Sequence, residues 1–285
     1  MAVEVTQRRY RTDDGVELVA DVGGAPAAPA VILMHGGGQT RFSWAGATDA
    51  LLRSGYQVVN VDGRGHGDSG WSPDGDYTLR RRAADLMAIT DTIAAPVALV
   101  GASLGGATAM RAVAGGYRPA ALALVDIVPR PDPKGVQRIR DFMSANLGGF
   151  DNIEQVVDAV AAYNPHRPRP RDPSGLARNL RTGADGRLYW HWDPRILDQG
   201  ARAEMEQFQE TMQGLRDAAG LPVLLVRGLE SDVVGDQGVE DLRSLLPGLE
   251  IFDVAGAGHM VAGDRNDAFN TGVLAFLGRH LPVRR

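Results

Sequence analysis

The stretch Val97-Ala-Leu-Val-Gly-Ala-Ser-Leu-Gly-Gly-Ala-Thr-Ala-Met110 constrains the fold more than any other. Val97 to Val100 is a short apolar run after Pro96, suited to a strand buried on both faces. Gly105 to Ala114 is built of small residues and helix formers. Between them Gly101-Ala-Ser-Leu-Gly105 matches G-x-S-x-G in the strand–turn–helix setting that gives the motif its meaning. A serine on so tight a turn sits in a strained backbone, and side chains two residues to either side would strike the neighbouring strand and helix. Glycine at 101 and 105 removes that collision. The turn lifts the Ser103 hydroxyl above the sheet at a helix N-terminus, where the Leu104 N–H faces any oxyanion that develops.

The rest of the chain repeats this alternation. Residues 3–11 and 16–22 read as two strands joined by the turn Thr12-Asp-Asp-Gly15. Apolar runs at 30–34, 56–61, 97–100, 121–125, 221–228 and 250–254 alternate with helical segments at 45–54, 78–93, 105–114, 238–246 and 267–280. Strands and helices in this order predict an α/β fold with a doubly wound, mostly parallel sheet. After Pro129 the alternation stops until about Gly220, and helical pieces at 136–145, 153–163 and 201–218 take over, with a Pro- and Arg-rich stretch, Tyr163 to Pro173, among them. The expected organisation is therefore a core of residues 1–129 and 220–285 with an inserted helical cap at 130–219.

Composition narrows the partners. Of 285 residues 44% are hydrophobic and 23% charged, ample for one large core. A net charge of −5 excludes the basic balance expected of a nucleic-acid-binding chain. With no cysteine there is no disulfide, thiol nucleophile or thiolate metal ligand. Met1 to Tyr10 lacks the apolar core of a signal peptide, and no stretch approaches the roughly 20 apolar residues of a membrane span, so the expectation is a cytoplasmic protein. The expected partner is a small-molecule substrate; among protein partners only a homodimer enters the expectation.

A serine nucleophile requires a base, and the base an orienting acid. Of six histidines, His259 follows a strand, sits among glycines and precedes the last helix. Asp232, in the loop after 221–228, completes the order Ser, Asp, His and is the expected acid. Asp126, ending the preceding strand, is the rival; Glu230 and Asp236 read as surface or capping residues. His35-Gly-Gly-Gly-Gln39 follows a core strand and offers backbone N–H groups opposite Leu104, Gly37 first and Gly38 second. Asp62-Gly-Arg-Gly-His-Gly-Asp-Ser-Gly70 reads as a structural turn fixed by internal hydrogen bonds. His35, His66 and His259 lie on separate loops without a ligand spacing, and no glycine run fits a phosphate-binding motif, so neither a metal nor a cofactor is expected. In the insertion, Tyr189, Trp190 and Trp192 either line a substrate pocket or form the cap's own core. Arg178, Arg181 and Arg195 either meet a substrate carboxylate or serve in ion pairs.

Taken together, His35-Gly-Gly-Gly, Asp62 to Ser69, Gly101-Ala-Ser-Leu-Gly-Gly106, Asp232 and Gly258-His259 make the chain resemble α/β-hydrolase-fold enzymes over residues 15–129 and 220–282. The likeness is to the capped branch with epoxide-hydrolase-like, cofactor-free haloperoxidase-like and carbon–carbon-bond hydrolases. Epoxide hydrolases and haloalkane dehalogenases of this fold use an aspartate nucleophile, and Ser103 stands at that position. The resemblance thus implies a serine hydrolase of small carboxylic esters or lactones. The other readings are a carbon–carbon hydrolase or lyase on the same triad, or a receptor-like binding protein with slow turnover.

Overall fold

The computed structural model describes residues 4–165, 169, 173–198, 201–261 and 266–283, the side chains of 201–208 excepted. Strands β1 (Val5–Arg11), β2 (Glu17–Gly23), β3 (Ala30–Met34), β4 (Gln57–Val61), β5 (Val97–Ala102), β6 (Ala121–Val125), β9 (Val223–Gly228) and β10 (Glu250–Val254) form one sheet in the order β1-β2-β4-β3-β5-β6-β9-β10. β1 and β2 run antiparallel to each other, β2 runs antiparallel to β4, and the remaining pairs are parallel. The doubly wound, mostly parallel sheet read from the sequence is the one observed.

The apolar runs are continuous because both faces of the central strands are covered. Side chains alternate between two layers. Ile32, Leu99, Leu122 and Leu225 pack under α2 (Leu79–Thr90), α3 (Leu104–Ala114) and α8 (Asp236–Leu245). Val31, Val100, Ala123 and Val226 pack under α1 (Ala45–Arg53) and α9 (Asn266–His280). β1, by contrast, is mostly exposed and carries Arg8, Arg9 and Arg11, charges that suit an edge strand.

Between β6 and β9 lie α4 (Pro133–Ala145), α5 (Ile153–Tyr163), the single turn α6 (Ser174–Ala177), the hairpin β7 (Leu180–Thr182)–β8 (Leu188–Trp190) and α7 (Ala201–Arg216). Helices α4 and α5, with the hairpin, share a small apolar core around Met143, Phe150, Val156, Trp190 and Trp192. The hairpin has no counterpart in the sequence reading, since strands of three residues carry too little periodicity to register. Much of the Pro- and Arg-rich stretch lies outside the described residues.

Helix α7 does not belong with the cap. Leu215 and the following Ala218 are buried in the main core layer beside α3. A Cβ placed on Gly214 would lie 2.4 Å from Ala114 Cα, so the two helices cross in backbone contact. The insertion therefore ends before α7, short of residue 219, where the sequence placed its end. Among the described residues no helix is long and apolar enough to cross a membrane.

A branched side chain at this crossing must push α7 off α3. Gly214→Val should lower stability by about 1–3 kcal/mol, a drop of several degrees in Tm. Gly175→Ala, in the cap where a Cβ meets nothing within 4 Å, should leave Tm unchanged. Equal melting curves for the two variants would return α7 to the cap.

Candidate active site

The turn between β5 and α3 is built from contacts that no Cβ could enter. A Cβ on Gly101 would lie 2.5 Å from the Gly105 carbonyl, and one on Gly105 would lie 2.3 Å from Met34 O. One on Gly106 would lie 2.4 Å from Ile127 Cγ2. Between these contacts Ser103 adopts φ 46°, ψ −114°, a conformation that costs a non-glycine residue about 1–3 kcal/mol. Its N–H donates to Val125 O at 3.1 Å, which sets the serine beside the end of β6.

That end is Asp126, also left-handed at φ 48° and fully buried. A buried carboxylate needs donors on both oxygens. Gly228 N–H donates to Oδ1 at 2.9 Å, and Oδ2 accepts the Ser231 hydroxyl and His259 Nδ1–H, the latter at 2.8 Å. A carboxylate can only accept, so the His259 proton lies on Nδ1 and Nε2 is left as the basic nitrogen.

The expectation that Asp232 orients His259 is corrected here. The Asp232 carboxylate is partly exposed and accepts from Arg138 Nη1 of α4 at 2.6 Å. The reason lies in the loop. Ser231 Oγ accepts N–H groups from Val233 (3.1 Å) and Val234 (3.3 Å), a local turn that folds Ser231 inward over Asp126 and leaves Asp232 facing the cap. The loop after β9 does reach the acid, but with a hydroxyl. Glu230 is exposed and Asp236 pairs with Arg227, as surface residues do. The signal available in the sequence was the position of Asp126 itself, a carboxylate closing a wholly apolar strand.

The loop 35–39 lies against the turn: a Cβ on Gly36 would sit 3.4 Å from Ser103 Cβ, and one on Gly37 would sit 3.8 Å from Leu104 Cδ2. Gly36 N–H donates to Gln39 Oε1 and Gly38 N–H to His66 Nε2, each at 3.1 Å. Gly37 N–H has no acceptor among the described residues, and Leu104 N–H opens α3, where the helix supplies none. Of the two glycines weighed from the sequence, Gly37 keeps its donor and Gly38 does not.

Two histidines hold this loop. His35 Nδ1–H donates to Gly36 O at 2.7 Å while Nε2 accepts Gly63 N–H at 3.0 Å. His66 Nδ1–H donates to Arg64 O at 3.1 Å, its Nε2 being the acceptor for Gly38. The 62–70 loop is the internally bonded turn expected. Asp62 takes the Arg41 guanidinium, Arg41 N–H (2.6 Å) and Asp68 N–H (2.9 Å), while Ser69 Oγ donates to Asp62 O at 2.6 Å.

The cap residues divide. Trp190 is buried in the cap core, edge-on to Phe150 with ring centroids 5.3 Å apart. Tyr189 OH donates to Asp185 Oδ2 at 2.7 Å. Trp192 instead reaches the loop of the site, its Nε1 lying 3.8 Å from a Cβ built on Gly38, with Met143 Cε beside it at 3.6 Å. Arg178 stacks on Phe42, Arg181 lies over both Trp71 and Tyr189, and Arg195 pairs with Asp193. All three arginines are thus engaged within the fold.

Burial pushes His35 and His66 below the ordinary histidine value, His66 well below. Both are therefore held neutral, and the unfolded chain binds protons at pH values where the folded chain does not. Stability is then complete above about pH 6.5 and declines below it, by up to about 1.4 kcal/mol per pH unit for each histidine. Urea midpoints should fall between pH 7.5 and 5.5, and His66→Gln should flatten that slope while lowering the midpoint at pH 7.5. A slope indifferent to the substitution would show that His66 is not what excludes the proton.

The fold is matched by kinship. The sequence profile of the alpha/beta hydrolase family matches residues 31–271. Esterase Rv0045c of Mycobacterium tuberculosis is 29% identical over 253 residues, covering 84% of this chain and 79% of that protein. A solved structure of that esterase has a TM-score of 0.77 at 27% identity, covering 97% of this chain and 92% of the other. The sn-1-specific diacylglycerol lipase ABHD11 of Mus musculus is 28% identical over 270 residues, covering 89% of this chain and 82% of the lipase. With the strand order, the strained serine turn and a profile match that spans core and insertion alike, this chain belongs to the alpha/beta hydrolase family.

Proposed function

We propose that the chain is a carboxylic ester hydrolase that cleaves small esters or lactones through an acyl-enzyme on Ser103. The observation that carries this reading is the Nδ1–H of His259 given to the buried carboxylate of Asp126, next to the strained serine turn. Kinship with an esterase and a lipase supports the ester bond as the target. A serine at the turn, in place of the aspartate of epoxide hydrolases, speaks against epoxide opening.

Ser103 Oγ attacks the carbonyl carbon as His259 Nε2 takes its proton. The Asp126 carboxylate stabilises the imidazolium without itself being protonated. The N–H groups of Gly37 and Leu104 hold the oxyanion; preorganised donors of this kind each contribute about 3–4 kcal/mol in related chemistry. Collapse returns the His259 proton to the leaving alcohol. Water then attacks the acyl-enzyme, with His259 again as base, and releases the acid.

Ser103→Ala should abolish p-nitrophenyl ester hydrolysis and fluorophosphonate labelling. Asp126→Asn should cost on the order of 10⁴ in kcat, about 5.5 kcal/mol of barrier, because the amide loses the charge that holds the imidazolium. Asp232→Asn should remain within a few-fold of wild type. A dead Asp232 variant beside an active Asp126 variant would overturn the assignment of the acid.

Met143 and Trp192 pack against the Gly37–Gly38 turn, and on the reading above these bulky side chains bound the acyl group and favour acetyl and propionyl esters. Met143→Ala should admit about two further methylenes at about 0.8 kcal/mol each, raising kcat/KM for pentanoyl over propionyl esters roughly tenfold. A chain-length profile that the substitution leaves unmoved would place the acyl group elsewhere.

A further inference from the structure

The Ser231 hydroxyl occupies a position that the mechanism above does not use. It shares Asp126 Oδ2 with His259 Nδ1–H, so two donors compete for one carboxylate oxygen while Gly228 N–H holds the other. Its own lone pairs are both taken, by Val233 N–H at 3.1 Å and Val234 N–H at 3.3 Å. With both acceptor sites filled by backbone donors, the hydroxyl proton has one acceptor to turn to, the carboxylate. A rotor that would otherwise be free is fixed, and the loop after β9 exists in the shape that fixes it.

We propose that Ser231 is a positioning residue that moderates the basicity of His259 by withdrawing charge from the oxygen on which His259 rests. The proposal rests on the reading of Ser103, His259 and Asp126 given above. A carboxylate oxygen that already accepts a hydroxyl proton stabilises an imidazolium less than one that does not. Ser231 therefore takes up part of the carboxylate charge that the imidazole would otherwise have to itself.

No other charge on the packed elements supplies this effect among the described residues. The loop after β9 carries Glu230, which is exposed, and Asp232, paired with Arg138 of α4. Asp236 and Asp253 share Arg227 at the ends of β9 and β10. The segment following Asp126 presents Ile127 and Val128, both buried and apolar. Among the described residues Asp126 is the one carboxylate in hydrogen-bond contact with the imidazole.

The test reads the base directly. The imidazole of His259 is titrated by NMR in Ser103→Ala protein, with and without Ser231→Ala. The pH dependence of inactivation by a fluorophosphonate is measured in the Ser103 protein with the same Ser231 variants. Ser231→Ala should move the His259 titration and the acid limb of inactivation upward by about half to one pH unit, a roughly 3- to 10-fold slower inactivation on that limb. Ser231→Thr should restore both, and Ser231→Cys, a weaker donor, should fall between.

A merely structural Ser231 would lower the inactivation rate by the same factor at every pH and leave the titration in place; that result overturns the proposal, as does a downward shift. Should Ser231→Ala not fold, the Thr and Cys variants alone decide between a graded shift and none. A wild-type protein that resists the fluorophosphonate would sink the nucleophile assignment, while the titration would still decide the role of Ser231.

Discussion

The carboxylate of Asp126 is a charge without access to water, and such a charge is tolerated only where donors surround it. Its donors come from positions 102, 105 and 133 residues away in the chain. Satisfying this one group therefore joins the ends of β6, β9 and β10 and fixes the direction of two loops. His259 is held at its working tautomer as a consequence. Ser103 is tied to the same corner through its N–H to Val125 O. The proposed catalytic residues are thus held together by the need to solvate one carboxylate at a strand end.

The second element of the site is defined by what is kept uncharged. His35 and His66 brace the 35–39 loop, each donating from Nδ1 to a backbone carbonyl and accepting an N–H at Nε2. Neutral imidazoles do this without placing a cation beneath the loop. They also use up the Gly38 N–H and leave that of Gly37 free, so the loop presents one donor of defined direction. The frame below is ionic: Arg64 binds Asp85 through two nitrogens, and Arg41 bonds Asp62 and Asp68. Buried pairs of this kind add little net stability, but breaking one leaves an uncompensated charge, which makes the frame rigid.

Over this frame the cap rests as a small unit with its own apolar core, joined to the main domain by directional contacts. Asp193 N–H donates to Gly65 O at 2.9 Å, and Tyr77 OH donates to the buried Asp193 carboxylate. Arg181 lies between Trp71 of the core and Tyr189 of the cap. Because Met143 belongs to the cap core and also packs against the 35–39 loop, packing inside the cap bears directly on that loop.

The sequence alone determined the sheet and the serine turn, because both follow from rules acting over a few residues. Five-residue apolar runs separated by helical periods admit only strands covered on both faces. Glycines two to either side of Ser103, followed by Gly106, mark a turn whose neighbours are backbone. The position of His259, between the last strand and the last helix, was legible for the same reason. The carboxylate partner of His259 was not, because Asp126 and Asp232 both follow core strands and sequence order favoured Asp232, whereas the hydrogen bond runs to Asp126. The choice between Gly37 and Gly38 depended on His66, and that between pocket and cap core for Trp190 and Trp192 on the fold of the insertion. The membership of α7 depended on a crossing with Ala114. Each of these was decided by hydrogen bonds or contacts between residues tens to more than a hundred positions apart, where strand order and loop curvature, which no local pattern encodes, select the partner.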